Sequence, residues 1–293
     1  MKKTLSLLLA VLMVTVCAGV ASAQSLEESL QKFGQDYAKG YVGPIGQTWG
    51  AAMNSGWYST ANVSDGIDIF LGIRAMAMPV PDDSKSFKIA SIWDGTVQEV
   101  PTFFGKDEEV KISGTEETYP KGINFGYSLL PVPQLSVGNI FGTRLMLRFL
   151  PEVKLGDAGT ISMFGIGAQH SLNGYIPMVP LDLSAMVAYQ RLTIGDIITA
   201  HGLTFGAQAS KSFSVLTLYG GVAYETSTFS LSYKATYDSP SGTKTIPVGF
   251  DIDGQNTVRL TLGFALGLGP IEINADYSVA SQSVITAGFG FGI

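Results

Sequence analysis

Five consecutive residues, His170-Ser171-Leu172-Asn173-Gly174, hold side chains of the kinds used in ester hydrolysis. A histidine can take the proton of a serine hydroxyl, which then attacks an acyl carbon, provided the two lie within hydrogen-bond reach. Neighbours on a strand point to opposite faces. His170 and Ser171 would therefore meet only if the strand ended at Gln169 and a loop followed. The expectation is that the chain is not an enzyme, and lipid A deacylation is the one catalytic alternative this segment offers.

Metal chemistry has less to work with. The chain has two histidines, His170 and His201, and its single cysteine, Cys17, lies near the start. Asp251 and Asp253 flank Ile252 in what reads as an external loop with a turn at Asp253-Gly254. A calcium loop needs more oxygen ligands at regular spacing. The glycines of residues 263–269 precede no helix start and so read as close strand packing rather than a phosphate cradle. No metal and no cofactor is expected.

The remaining polar candidates are strand residues. Arg144 and Arg148 share one face with Met146, Arg259 lies on the polar face of its segment, and Glu272, Asn274, Asp276 and Ser278 share a face of the next. Two readings fit. The groups satisfy one another across a closed interior, or they line a small pore.

These residues need strands to position them, and the pattern supplies strands. Hydrophobic residues are 46% of the 293, charged residues 14%, and glycine occurs 35 times. Mean hydropathy is +0.26, yet beyond the start there is no apolar run of transmembrane-helix length. In residues 258–268 Val, Leu, Leu, Phe, Leu and Leu fall on one face, with Arg259, Thr261, Gly263, Ala265 and Gly267 on the other. Residues 271–280 alternate likewise after a Gly269-Pro270 turn, and Ile285, Ala287, Phe289, Phe291 and Ile293 alternate to the last residue. Tilted alternating strands of this length cross a bilayer, and in lipid they must close on themselves.

Further segments lie near residues 67–78, 141–150, 161–169, 181–190, 202–210, 213–224 and 229–237, with shorter ones near 87–92 and 109–113. The expected fold is all-β, an antiparallel transmembrane β-barrel of about twelve strands, within about ten to fourteen. Residues 79–119 carry Asp82, Asp83, Asp107, Glu108, Glu109, Glu116 and Glu117 and read as partly external. Counting back from Ile293 as a periplasmic end makes Gly269-Pro270 a periplasmic turn and 238–256 an external loop. Aromatic residues such as Trp49, Trp57, Trp93, Tyr175, Tyr189, Tyr224, Tyr233 and Tyr277 suit interfacial belts.

The start has a different period. Lys2, Lys3, the apolar stretch 5–16 and Ala21-Ser22-Ala23 read as a secretory signal, residues 1–23, cleaved before Gln24. Val16 ahead of Cys17 argues against a lipoprotein. Ser25 to Glu28 fits a capping box, after which Leu26, Leu30, Phe33 and Tyr37 share a helix face up to Gly40. A second short helix is predicted from Pro44 to about Asn54, with Trp49 on its buried face and Gly56 ending it. Residues 24–56 thus form a helical segment that either plugs one mouth of the barrel or lies against the periplasmic rim, with the barrel occupying 57–293.

Residues 165–180 (GIGAQHSLNGYIPMVP), 208–213 (QASKSF), 220–225 (GGVAYE), 143–151 (TRLMLRFLP), 129–133 with Val137-Gly138, and 50–61 (GAAMNSGWYSTA) resemble an uncharacterised family of bacterial outer-membrane proteins, described as a domain of unknown function. The resemblance spans most of the chain after residue 24. It implies a barrel with a helical N-terminal segment and supplies no activity. In architecture alone the chain is also similar to outer-membrane long-chain fatty-acid transporters.

The expectation is therefore an outer-membrane barrel that passes or binds a small, hydrophobic solute. A structural or surface-contact barrel is the alternative. Expected partners are outer-membrane lipid, the barrel-assembly machinery through the C-terminal strand, and that solute. The acidic balance, −6 overall, speaks against nucleic acid.

Overall fold

Alternation of period two becomes strands throughout the second half of the chain. A computed structural model describes residues 23–63, 68–91, 93–154, 160–176, 179–239 and 242–292. The apolar stretch and Cys17 of the expected signal, and Ile293, lie outside the described residues.

The elements in order are helix α1 (Ala23–Met53), β1 (Asp68–Pro79), β2 (Ser86–Ala90), β3 (Val97–Pro101), β4 (Val110–Lys111), β5 (Thr118–Tyr119), β6 (Tyr127–Ile140), β7 (Thr143–Lys154), β8 (Thr160–Ser171), β9 (Asp182–Ile194), β10 (Ile198–Phe213), β11 (Leu216–Ser239), β12 (Gly242–Asp253), β13 (Val258–Leu268), β14 (Ile271–Val279) and β15 (Val284–Gly292). All ladders are antiparallel. The ring runs β1-β6-β7-β8-β9-β10-β11-β13-β14-β15 and returns to β1 through pairs such as Ile73↔Phe289. Ten strands close it, and β12 pairs only with the far half of β11, outside the ring.

The count of about twelve is corrected to ten among the described residues. Residues 216–224 and 229–237 belong to one strand, β11, which continues through the polar run Thr226-Ser227-Thr228 because β10 keeps pairing there and β12 joins at Thr228, while Phe213 closes β10. The segments near 87–92 and 109–113 form β2 and β4, which make small two-stranded sheets with β3 and β5 instead of wall. Conversely β6 is a full wall strand despite Pro131 and Pro133. Asp251 and Asp253 lie on β12, opposite Ser230 and Thr228, rather than in a loop.

Side chains on the ring obey the alternation. Leu71, Phe149, Ile166, Val187, Phe205, Val222, Leu262 and Phe289 are exposed, while Met76, Met146, Met163, Arg148, Gln190 and Arg259 on the same set of strands are buried. An exposed apolar girdle around a buried mixed interior is a wall built for lipid.

The ends of the ring differ. At one, two-residue turns join β6 to β7, β10 to β11 and β13 to β14. At the other lie the excursion between β1 and β6, which holds β2–β5, and the β11–β12 extension. The helix is single and continuous through Gly40 and Pro44, where two helices were expected, and Ser25 lies inside it rather than capping it. Pro44 costs one bond to Gly40, but the wall holds the helix closely: a Cβ on Gly46 would meet Phe229 at 3.0 Å, and one on Gly50 would meet Ser227 Oγ at 2.3 Å.

Candidate functional site

The segment after α1 runs through the lumen. Tyr37 stacks on Tyr119 and Tyr41 at the long-excursion end, and the Tyr41 hydroxyl donates to Lys121 O. Further on, Ala61 N–H donates to Ser210 Oγ and Asn62 Nδ2 to Asp182 Oδ1, at the short-turn end where β9 begins and β10 nears its close. Between these points the chain crosses the barrel lengthwise.

The lumen divides into two layers. In the half nearer the long excursions, Val42, Ile45, Ala52 and Met53 of α1 pack against Met76, Met78, Leu130, Val132, Met163, Leu192, Phe229 and Leu231, all buried. The other half is mainly polar but holds a smaller apolar cluster of Trp57, Met146, Met186 and Ala188. Both layers follow from inward residue types: apolar toward one strand end, and toward the other charged and amide groups around the smaller apolar cluster.

Two arginines at the boundary grip the end of the helix. Arg148 on β7 is fully buried; its Nη2 donates to Ser55 O at 2.8 Å, Nε to Gln134 Oε1 at 2.9 Å and Nη1 to Gln190 Oε1 at 3.0 Å. Its guanidinium stacks 3.8 Å from the Trp57 ring centroid. Arg259 on β13 pairs in two-toothed fashion with Glu225 at 2.6 and 2.8 Å, donates to Ala51 O at 2.8 Å and bonds Ser55 Oγ. The last carbonyls of a helix lack partners and carry the negative end of its dipole, so cations reaching them from two walls act as a tertiary cap.

The wall is contoured for this thread. A Cβ on Gly165 or Gly167 of β8 would sit 3.1 or 3.2 Å from Trp57. On β15, Gly288 lets Arg74 of β1 reach past it, so that Arg74 Nη2 meets Glu272 Oε1 of β14 at 3.1 Å, and Ser59 donates to the same oxygen at 2.7 Å. Tyr219 donates to Asp276 at 3.0 Å and accepts from Asn274 at 3.1 Å.

All six lumen candidates face inward. Arg148, Arg259, Asn274 and Asp276 are buried, Glu272 pairs with Arg74, and Arg144 lies half-buried at the short-turn end, bonded to Asp68 and Gln169. Of the helix face, Tyr37 is buried, whereas the side chains of Leu26, Leu30 and Phe33 lie outside the described set. Sequence reasoning missed Arg74, Glu225, Gln134 and Gln190. Arg74 breaks an apolar run and was legible as an inward position; Glu225 lay just past the expected strand end.

His170 bonds Thr143 through Nδ1 at 2.9 Å and Tyr175 through Nε2 at 3.0 Å, at the short-turn end. Among the described residues no hydrogen bond joins it to Ser171, whose Oγ accepts from Asn173 N–H. His201 bonds Tyr189.

The fold and its lumen define a β-barrel of transmembrane type whose interior is occupied by its own N-terminal segment. The chain belongs to the family of unknown function DUF6588, whose model matches residues 1–293. No curated protein matches. Solved structures similar to it include the outer-membrane protease OmpT of Escherichia coli (8% identity, 78% of this chain and 95% of that one, TM-score 0.33). The toluene transporter TodX of P. putida is also similar (14%, 83% and 70%, 0.29). A third is a loop L8 deletion mutant of OmpT, an outer membrane protein of Vibrio cholerae (8%, 78% and 99%, 0.28).

Proposed function

We propose that the protein is an outer-membrane barrel that binds, or passes, a small apolar solute in the apolar half of its lumen while the polar half stays shut to water. The observation that carries this reading is the layering itself. A barrel that only held itself together would not need its apolar interior concentrated beside the long excursions, with two arginines fixing the helix end below it. Short turns belong to the periplasmic side and long loops to the outside. The apolar layer then lies toward the outer leaflet.

The test uses the full chain in phosphatidylcholine vesicles beside a variant lacking residues 24–56. The full chain binds a fluorescent fatty acid and leaks no small sugar. The deletion strips Arg148 and Arg259 of their helix-end partners, so water enters and sugar flux rises. If neither protein binds fatty acid above a protein-free vesicle and sugar flux stays at background in both, the reading is wrong.

A second reading has one supporting observation. The excursion between β1 and β6 builds ordered hairpins over α1 and shows carboxylates such as Asp83, Glu108 and Glu109 to solvent, which suits a surface-contact role. Crosslinking on whole cells followed by pull-down separates it from solute binding.

A further inference from the structure

We infer that the outward face of β9 and β10, near the long-excursion end, carries a binding site for the phosphate of an anionic membrane lipid, built from Arg191, His201 and Tyr189. The site is on the lipid side of the wall and is independent of what the lumen holds.

Of the five arginines in the chain, four turn inward. Arg74, Arg148 and Arg259 are buried, Arg144 is half-buried, and each is bonded inside the ring. Arg191 is the fifth. Alternation sends it the other way: Leu192 beside it is buried, whereas Arg191 is exposed, opposite Phe164 of β8 on one ladder and His201 of β10 on the other. Among the described residues it has no ion pair and no side-chain hydrogen bond. Asp196 stands in the turn above it. The outward carboxylates Asp251 and Asp253 are on β12, two strands beyond His201, and Thr228 donates to Asp253 at 3.1 Å.

An arginine on a lipid face is costly at the midplane and nearly free at the interface, so its depth decides what it can do. Toward the short turns the next outward row is Ile166, Tyr189 and Leu203, followed by Ala168, Val187 and Phe205. Toward the excursions the next outward row is Ser162, Thr193, Thr199 and Ser230, hydroxyls on four neighbouring strands. Arg191 and His201 therefore stand on the line where apolar wall gives way to hydroxyl, the level of the lipid headgroups. With the long excursions outside, that is the outer leaflet. Phosphate is the anion that this level supplies.

Facing side chains on an antiparallel ladder have Cβ atoms about 4.5–5.5 Å apart, so the guanidinium and the imidazole can reach one small anion together. His201 Nδ1 is 2.7 Å from the Tyr189 hydroxyl, and the two rings stack with centroids 6.0 Å apart. With that hydroxyl donating to Nδ1, the ring proton sits on Nε2 as a donor for a further acceptor. The guanidinium adds two parallel N–H groups that match phosphate oxygens. One permanent charge beside one imidazole suits a single phosphate rather than a run of them. The acyl chain of the same lipid then lies along exposed Ile166, Leu203 and Phe205. At the opposite rim His170 has a similar tyrosine partner, Tyr175, but faces Thr143 and Ala185 across its ladders, with no cation beside it.

The experiment puts a fluorescent reporter beside the site. Phe164→Trp, on the lipid-exposed wall opposite Arg191, is read in vesicles of phosphatidylcholine containing acyl-brominated phosphatidylglycerol, with the unaltered full chain giving the background of Trp49, Trp57 and Trp93. Quenching of the reporter is expected to correspond to anionic lipid enriched about fivefold over the bulk bilayer, the order of one charge-assisted contact at a wet surface. Arg191→Gln in the reporter chain brings the enrichment down to the bulk value, His201→Gln lowers it in part, and His170→Gln leaves it unchanged. Quenching at the bulk value in the reporter chain, or enrichment that survives Arg191→Gln, would overturn the site. A brominated fatty acid, whose head is a carboxylate, is expected to be enriched less; equal enrichment would overturn phosphate as the group recognised. Excess inorganic phosphate is expected to leave the lipid in place, and displacement by it would overturn the lipid as the occupant. Heat-dependent gel mobility reports folding, and Ile166→Trp, one outward row away, serves as reporter if Phe164→Trp does not fold.

Discussion

Arg148 sits in the middle of the barrel with, among the described residues, no carboxylate bonded to it and a full set of neutral acceptors: the main-chain carbonyls of Ser55 and Met53, two glutamine oxygens and the face of Trp57. Such an arrangement is stable only while the helix end is in place, since the carbonyls of the last turn supply the negative potential that a carboxylate would otherwise give. Arg148→Met removes the donors but keeps the bulk. It is expected to lower unfolding stability in detergent by about 2–4 kcal/mol, from buried acceptors left unmatched. A urea midpoint equal to that of the unaltered protein would show that the guanidinium is not holding the helix end. Arg148 and Arg259 were legible in the sequence because each lies on the face of its strand opposite the alternating apolar one. Their partners were not, because Ser55 and Ala51 offer main-chain oxygens, which no residue type advertises.

The hairpins of the first long excursion illustrate how much an element owes to its neighbours. β4 and β5 are two residues each, too short to stand alone. Ser113 Oγ donates to Asp94 at 2.6 Å and Gln98 reaches Lys111 O and Ser113 N–H, tying one hairpin to the other. The Ser113 hydroxyl, then the Thr96 N–H, holds the Asp94 carboxyl below its ordinary value. A carboxyl depressed on folding contributes order above its unfolded pKa and loses it as pH falls through the folded one. The hairpins are therefore expected to loosen only below the ordinary carboxylate range, seen as faster cleavage by an acid-active protease at pH about 3 than at pH about 4.5. Asp94→Asn should flatten that dependence. Elements of the wall were read well where alternation was pure, as in β13, whose bounds match the expectation. β6 escaped because proline usually excludes a strand; here its ladder to β1 runs unbroken past Pro131 and Pro133, while its ladder to β7 begins only at Gln134. The helix was split at Gly40 and Pro44 because local propensity says stop, whereas packing on Phe87, Phe229 and Ser227 outweighs it.

Taken whole, the molecule has its helix at the long-excursion mouth and its first strand starting at the other. If long loops face the outside, α1 is at the cell surface. The described part of the chain contains no cysteine. Asp36→Cys, at an exposed helix position, is expected to react with a membrane-impermeant maleimide on intact cells, while Ser171→Cys at the short-turn end reacts only after the outer membrane is breached. The reverse pattern would invert the orientation.

The thread through the lumen also limits how the ring can be made. A cord that enters one rim and is tied to the first stave at the other cannot be slipped in sideways once the last stave is set. Either the stretch from Asn54 to Val63 lies in position before β15 meets β1, or the 31 residues of α1 travel through a nearly finished cylinder. The first path makes the final hydrogen bonds of the wall and the arginine grip on the helix end parts of one closing event, so that the barrel shuts around its own beginning.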